Sequence, residues 1–185
     1  MSASDAVDTS APPRSAHVQF LGVGKHYGPV QVLDDVCFDV DRGAVTALLG
    51  ENGAGKSTLM KILAGTIPAD SGEMRIDGKA CRFRNSREAE ACGVVLIHQE
   101  FNLAQDLTIA QNMFLGHELC RGWRLDHAAM NREARRYLAM VGLDEPPTRL
   151  VRELIVAKRQ LVEIAKALSR RARLLIMDEP TATLT

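Results

Sequence analysis

The sequence predicts an α/β fold, a β-sheet core flanked by helices with a helical region set into its second half. Three observations predict it. Short apolar runs of strand length alternate with helical patterns as far as Ile97. A glycine-rich stretch, Gly50 to Thr58, joins one such run to a helical pattern. From Thr108 to Leu168 the apolar residues recur at helical spacing, after which Leu174–Met177 returns to a strand.

The elements follow in order. Residues 1–16 read as a disordered tail, because Met1 to Ser15 are small and polar, include Pro12 and Pro13, and lack the apolar core of a signal peptide. The folded region then runs over 17–185. His17–Tyr27 and Val36–Val40 predict strands, with Asp41, Arg42 and Gly43 as the following turn. Ala44–Leu49 is a short apolar run of the kind a buried parallel strand needs, and Lys56–Ala64 places Leu59, Ile62 and Leu63 on one helical face. Glu73–Asp77 predicts a strand closed by Gly78, Ser86–Cys92 a helix stopped by Gly93, and Val94–Ile97 a β-branched strand leading to His98, Gln99 and Glu100.

In the helical region Asp126 is placed as an N-cap, and Met130, Ala134, Tyr137, Leu138 and Val141 share a face ended by Gly142. Leu161, Ile164, Ala165 and Leu168 form a second face, and Pro146 and Pro147 separate the two helices.

Composition narrows the function classes. The chain has 185 residues, 46% hydrophobic and 25% charged, with Lys plus Arg and Asp plus Glu both numbering 23. That is a globular balance of one-domain size, and it offers no net field for a nucleic-acid or anionic-membrane surface. No run is long and apolar enough to span a bilayer, which places the chain in the cytosol. Cys37, Cys81, Cys92 and Cys120 lack metal-ligand spacing and read as reduced, partly buried thiols.

The chemistry enters at Gly50-Glu51-Asn52-Gly53-Ala54-Gly55-Lys56-Ser57-Thr58, which fills every fixed position of the phosphate-binding loop G-x-x-x-x-G-K-[ST]. Glycines at 50, 53 and 55 let the backbone turn its N–H groups inward around phosphate oxygens at a positive helix N-terminus. Lys56 would reach the β and γ phosphates, and Ser57 would ligate Mg2+. The competing reading is a glycine-rich turn matching by chance; the apolar run before it and the helix after it argue against that. The sequence thus predicts a P-loop nucleotide triphosphatase core. Leu174–Met177 ends in Asp178, Glu179 and Pro180, an acidic pair at a strand's carboxyl edge. Such a pair is often only a solvated strand end, but after a phosphate loop Asp178 suits Mg2+ held through water, and Glu179 suits orienting or deprotonating the attacking water.

Taken together these residues resemble the ATP-binding cassette (ABC) family from His17 to Thr185. The phosphate loop, His98-Gln99-Glu100 with Phe-Asn-Leu after it, Ile109 to Gly116, Val162 to Leu168 and Met177-Asp178-Glu179-Pro180-Thr181 are similar to the ATP-binding proteins of ribose-, xylose- and galactose-type importers. The resemblance implies ATP and Mg2+ as cofactors, a helical subdomain at about 101–168, and coupling of ATP hydrolysis to monosaccharide import. It implies that Tyr27 stacks on adenine, where the structural alternative is a strand-end tyrosine packed on the sheet. Gln99 would touch Mg2+ and the water and link the site to the helical subdomain; Ala182–Thr185 would cross the interface with a second cassette. Implied partners are the transporter's membrane subunits, a second cassette and, indirectly, a periplasmic sugar-binding protein, with the chain peripheral on the inner face of the membrane. A soluble cassette ATPase acting on DNA or ribosomes is disfavoured, since no coiled-coil insertion lies between Gln99 and Leu154 and the charge is neutral.

Two departures stand out. The signature segment should carry Leu-Ser, yet Leu154 is followed by Ile155, Val156, Ala157 and Lys158; loss of the hydroxyl is expected to weaken closure on a partner's γ-phosphate. The chain also stops at Thr185, before the switch histidine, and its last histidine is His127. It therefore reads as an N-terminal piece of a first cassette, C-terminally incomplete, with unpaired central strand edges, poor ATP binding, little hydrolysis and a tendency to aggregate. The alternative function is a non-hydrolysing nucleotide-binding fragment.

Overall fold

The computed structural model describes residues 16–51, 53–97 and 102–177. Two compact units divide the chain, one formed by residues up to 62 with 67–84 and the other by 63–66 with 85 onward.

The first unit is built on long antiparallel strands. β1 (Ala16–Tyr27) pairs with β2 (Val30–Asp41) through the turn at Gly28 and Pro29. Ala16 is opposite Asp41, so the predicted tail yields one residue to the sheet, and the second strand is longer than Val36–Val40. Helix α1 (Lys56–Leu63) buries Leu59 and Ile62, the face its spacing predicts. β3 (Ser71–Ile76) pairs with β1, and the short β4 (Lys79–Cys81), which the sequence reading missed, pairs with β3. Val18, Phe20, Val23, Met74 and Ile76 point to the buried side, and Phe20 stacks on Phe38 with ring centroids 4.5 Å apart. Polar clasps hold the edges: Lys25 Nζ donates to Asp70 at 2.7 Å, and His17 Nδ1 lies 2.6 Å from Asp77.

One predicted strand is absent. Ala44–Leu49 has no strand partner among the described residues, and Val45 is fully exposed (101%) with Leu49 at 89%. A strand is defined by its ladder, and an apolar run supplies the side chains for one without supplying the neighbour.

In the second unit α2 (Ser86–Ala91) is capped by Asn85, whose side chain accepts from Glu88 N, and it ends before Gly93. β5 (Val94–Ile97) pairs in parallel with β8 (Leu174–Met177), Val94 opposite Leu174 and Ile97 opposite Met177. Between them lies the helical region. α3 (Ile109–Phe114) opens with a capping box, Thr108 and Gln111 each satisfying the other's backbone. A small hairpin, β6 (Cys120–Arg121) and β7 (Arg124–Leu125), interrupts the predicted helical stretch. α4 (His127–Met140) starts at the predicted N-cap Asp126 and stops at Gly142, whose φ of 69° only glycine adopts freely. α5 (Val156–Ser169) follows a 3-10 turn at Val151–Glu153. Ile109, Met113, Met130, Ala134, Leu138, Val151, Val162 and Ala165 form one apolar cluster, and each fully buried Leu, Ile or Met adds about 1.5–3 kcal/mol.

α5 corrects its predicted face. Ala165 is buried and Leu161 packs on the cluster, but Ile164 and Leu168 are half-exposed, while Val162, Glu163, Lys166 and Ala167 are buried. The helix contacts α3, α4 and β5, so it is covered from several directions, and a single apolar stripe underestimates that. The thiols are also more open than predicted: Cys37, Cys92 and Cys120 are exposed and Cys81 half-buried. No helix among the described residues is long and apolar enough to cross a membrane. The N-terminal residues 1–15 read as a tail lie outside the described residues.

Candidate functional site

The phosphate loop follows the exposed run 44–49 and leads into α1. Ala54 N donates to Glu51 O at 3.1 Å, closing a tight turn. Gly53 and Gly55 hold φ of 87° and 84°, the left-handed region. At Gly55 packing adds a second demand: a Cβ there would meet Leu33 Cδ2 at 2.7 Å and the Val32 carbonyl at 2.8 Å. Gly55 thus lets the loop press against β2, and its carbonyl accepts the first helical bond, from Leu59 N at 2.9 Å. By helix geometry the N–H groups of Lys56, Ser57 and Thr58 have no acceptor within α1. The first turn of α1 carries no acidic residue, so nothing on it offsets its positive end.

Lys56 folds back over this loop, donating from Nζ to the carbonyls of Gly50 at 2.7 Å and Glu51 at 2.8 Å. An ammonium held beside the acid-free N-terminus of a helix is an arrangement whose charge suits a polyphosphate. Gly50, Glu51, Gly53, Ala54 and Ser57 are exposed, Thr58 is half-buried, and Asn52 lies outside the described residues. Ser57, in the first turn of α1, is the one described residue of those predicted to hold Mg2+. Gln99 and Asp178 lie outside the described residues, as do Glu179 and Ala182–Thr185. Among the described residues no group of three or more His, Cys, Asp or Glu side chains could hold a metal.

Tyr27 ends β1 opposite Val30, two residues before the Val32 that Gly55 presses on. Tyr27 is 48% exposed, with Lys25 Nζ 5.8 Å from its ring centroid, a position open both to stacking on a base and to packing on the sheet.

The signature segment has the opposite character. Ile155 is the N-cap of α5, makes no side-chain cap hydrogen bond and is 65% exposed; Val156 is exposed beside it. Behind this end lies Glu145, a residue the sequence reading did not single out. Its side chain, 4% exposed, accepts from Lys158 Nζ at 2.5 Å and from Arg149 Nη1 at 2.7 Å. Those hydrogen bonds, Lys158's first, hold its carboxyl below the ordinary glutamate value. The pair offsets a lysine placed at the positive end of a helix. Nothing in local periodicity marks Glu145, whose partner Lys158 is 13 residues away.

Known proteins resemble this chain over most of its length. The ABC transporter family matches residues 33–182. The chain is 48% identical over 170 residues to the xylose import ATP-binding protein XylG of Geobacillus kaustophilus, covering 91% of this chain and 34% of that protein. It is 50% identical over 169 residues to the ribose import ATP-binding protein RbsA of Chromobacterium violaceum, covering 91% and 34%. The chain therefore spans about a third of the length of these curated relatives. Among solved structures, an ABC transporter's ATP-binding cassette in its ADP conformation superposes with a TM-score of 0.81 at 26% identity, covering 92% of this chain and 71% of that one. With a phosphate loop of this geometry and a family match across most of its length, the chain belongs to the ATP-binding cassette transporter family.

Proposed function

We propose that this chain is the ATP-binding part of a subunit that couples ATP hydrolysis to import of a monosaccharide. The observation that carries the reading is Lys56 held over the Gly50 and Glu51 carbonyls at the acid-free start of α1. Sugar import rests on the relatives, which are named as xylose and ribose import ATP-binding proteins.

In this reading Tyr27 stacks on adenine, the amides of 50–58 surround the phosphates, and Lys56 turns from its carbonyl partners to the β and γ oxygens. Ser57, Gln99 and Asp178 would hold Mg2+, which supplies charge neutralisation at the phosphates. Glu179 takes a proton from the attacking water as it adds to the γ-phosphorus in line with the leaving ADP oxygen, and Gln99 orients that water. A second cassette, the membrane subunits and, through them, a periplasmic sugar-binding protein are the partners, with the chain peripheral on the inner membrane face.

Ile155 favours a second reading, a cassette that binds nucleotide without turning it over, because the uncapped, apolar start of α5 offers no hydroxyl to a partner's γ-phosphate. Equilibrium binding of ATP measured alongside phosphate release separates the two. Binding with release supports hydrolysis, binding without release supports the second reading, and absence of binding, or binding that Lys56→Met leaves unchanged, overturns both.

A further inference from the structure

Two buried polar side chains of the second unit have no task in the reading above. Lys166, in the third turn of α5, is 8% exposed, yet its short contact is to a backbone carbonyl: Nζ donates to Asn102 O at 2.8 Å. The Glu163 carboxylate, one turn earlier, stands off at 3.9 Å. A lysine retained only as half of a buried ion pair would bring the carboxylate closest. Burial pushes the Lys166 ammonium below its ordinary value, so the charge is kept there at a cost. Around it Glu90, Asn102, Glu163 and Arg170 line a cavity of about 260 Å3, and Glu163 Oε1 and Arg170 Nε make no hydrogen bond among the described residues. Arg170 also pairs with Glu90 at 2.9 Å. Among the described residues Lys166 approaches the Asn102 carbonyl more closely than it approaches the Glu163 carboxylate.

Asn112 of α3, fully buried, grips the same segment further along. Its Oδ1 accepts from Ala104 N at 2.7 Å, and its Nδ2 faces the carbonyls of Ala104 (2.9 Å), Thr108 (3.0 Å) and Leu107 (3.3 Å). The opposite side of the segment is bonded by backbone to the approach to the signature. Ile109 N donates to Arg149 O at 2.9 Å, Val151 N to Leu107 O at 3.1 Å and Arg152 N to Gln105 O at 3.0 Å; Arg152 also pairs with Asp106 at 2.9 Å. That approach runs through the 3-10 turn into Leu154 and Ile155, where α5 and its Lys166 begin.

We propose that Lys166, reaching Asn102 from α5, and Asn112, gripping 104–108 from α3, are positioning residues that brace segment 102–108, which starts three residues after Gln99, so that its backbone bonds lock it to segment 147–155 that opens α5. The two then shift as one piece when nucleotide binds. Backbone bonds supply the joint and two side chains brace it. The proposal rests on the nucleotide-binding reading for its purpose, but the lock itself does not.

Native-state hydrogen exchange on the unaltered chain tests the lock directly. The amides of Ala104, Ile109, Val151 and Arg152 are expected to open together with one urea dependence; separate openings overturn it. Lys166→Met is expected to speed exchange at those four amides at least ~10-fold, the loss that removing a charged hydrogen bond implies, while amides in the middle of α4 keep their rates. Lys166→Arg is expected to restore the wild-type rates. Equal acceleration in α4, or failure of Lys166→Arg to rescue, reduces Lys166 to general stability and overturns its positioning role. If Lys166→Met does not fold, the wild-type exchange pattern and Asn112→Ala decide in the same way. Mg-ATP is expected to slow exchange in both segments together. Absence of ATP binding in the unaltered chain would sink the nucleotide reading and leave the exchange result to judge the lock.

Discussion

Two helix N-termini, those of α1 and α5, present the same backbone problem with opposite solutions. Each leaves its first N–H groups without an intrahelical acceptor and carries the positive end of a dipole. At α1 a glycine loop presses onto β2 and Lys56 is stored over its carbonyls, so the end is polar and shaped by close backbone packing. At α5 the cap position is Ile155, exposed and without a side-chain bond, and the order comes from behind, through Glu145, Lys158 and Arg149. The lesson is that what precedes a helix end sets its character. α1 follows a glycine that packs on β2, whereas α5 follows a cap position whose side chain makes no hydrogen bond.

The largest test of this contrast is Gly55→Ala. A methyl group at 2.7–2.8 Å from Leu33 and Val32, on a residue with φ of 84°, is expected to cost about 3 kcal/mol in the stability of the first unit. It should also abolish ATP binding; chemical denaturation and ATP titration read the two effects. The same methyl group at Gly53, where no atom beyond its chain neighbours lies within 4 Å among the described residues, meets only the backbone penalty and is expected to cost about 1 kcal/mol.

Next comes Lys56→Met, which keeps an unbranched side chain one atom shorter and removes its charge. A charged hydrogen bond contributes about 1.5–3 kcal/mol, so ATP affinity is expected to fall ~10- to 100-fold. The thermal midpoint should hardly move, because the side chain is only partly buried against two loop carbonyls.

Ile155→Ser should act in the opposite direction. A serine at the empty cap position is expected to stabilise α5 by about 1 kcal/mol. In a cassette with its partner it should also raise ATP turnover. A gain in stability without any gain in rate would mean that Ile155 is a folding feature and not a brake on closure.

The smallest expected effect concerns pH. Glu145 has its folded value lowered by Lys158 and Arg149, so its contribution is fully present above the ordinary 4.5 and is lost as pH falls through the lower folded value. Glu145→Gln should lower the thermal midpoint at pH 7 and should converge with the unaltered chain in acid. A constant difference at all pH values would mean that Glu145 acts by packing alone.

Much of this was legible in the chain. Asp126, Gly142, Gly93 and the Leu59 and Ile62 face were read correctly because caps, stops and amphipathic spacing are local properties of a few neighbouring residues. The parallel pairing of β5 with β8 fits the α/β pattern. The run 44–49 was misread as a paired strand, since apolar content says a strand would be buried if a partner stood beside it and does not supply the partner. The face of α5 was half right for a similar reason: its burial is set by α3, α4 and β5 together.

The amino-acid sequence by itself determined the phosphate loop, the helix ends and the family, because each resides in residues adjacent along the chain whose chemistry is fixed by identity and spacing. Tertiary structure alone decided that Gly55 must be glycine against Val32 and Leu33, that Glu145 neutralises Lys158, and that Lys166 holds the carbonyl of Asn102. Those contacts join residues 13 to 64 positions apart. Hydrogen bonds and van der Waals clashes act over a few ångströms in space, and no periodicity along a chain reports which distant residues folding will bring that close.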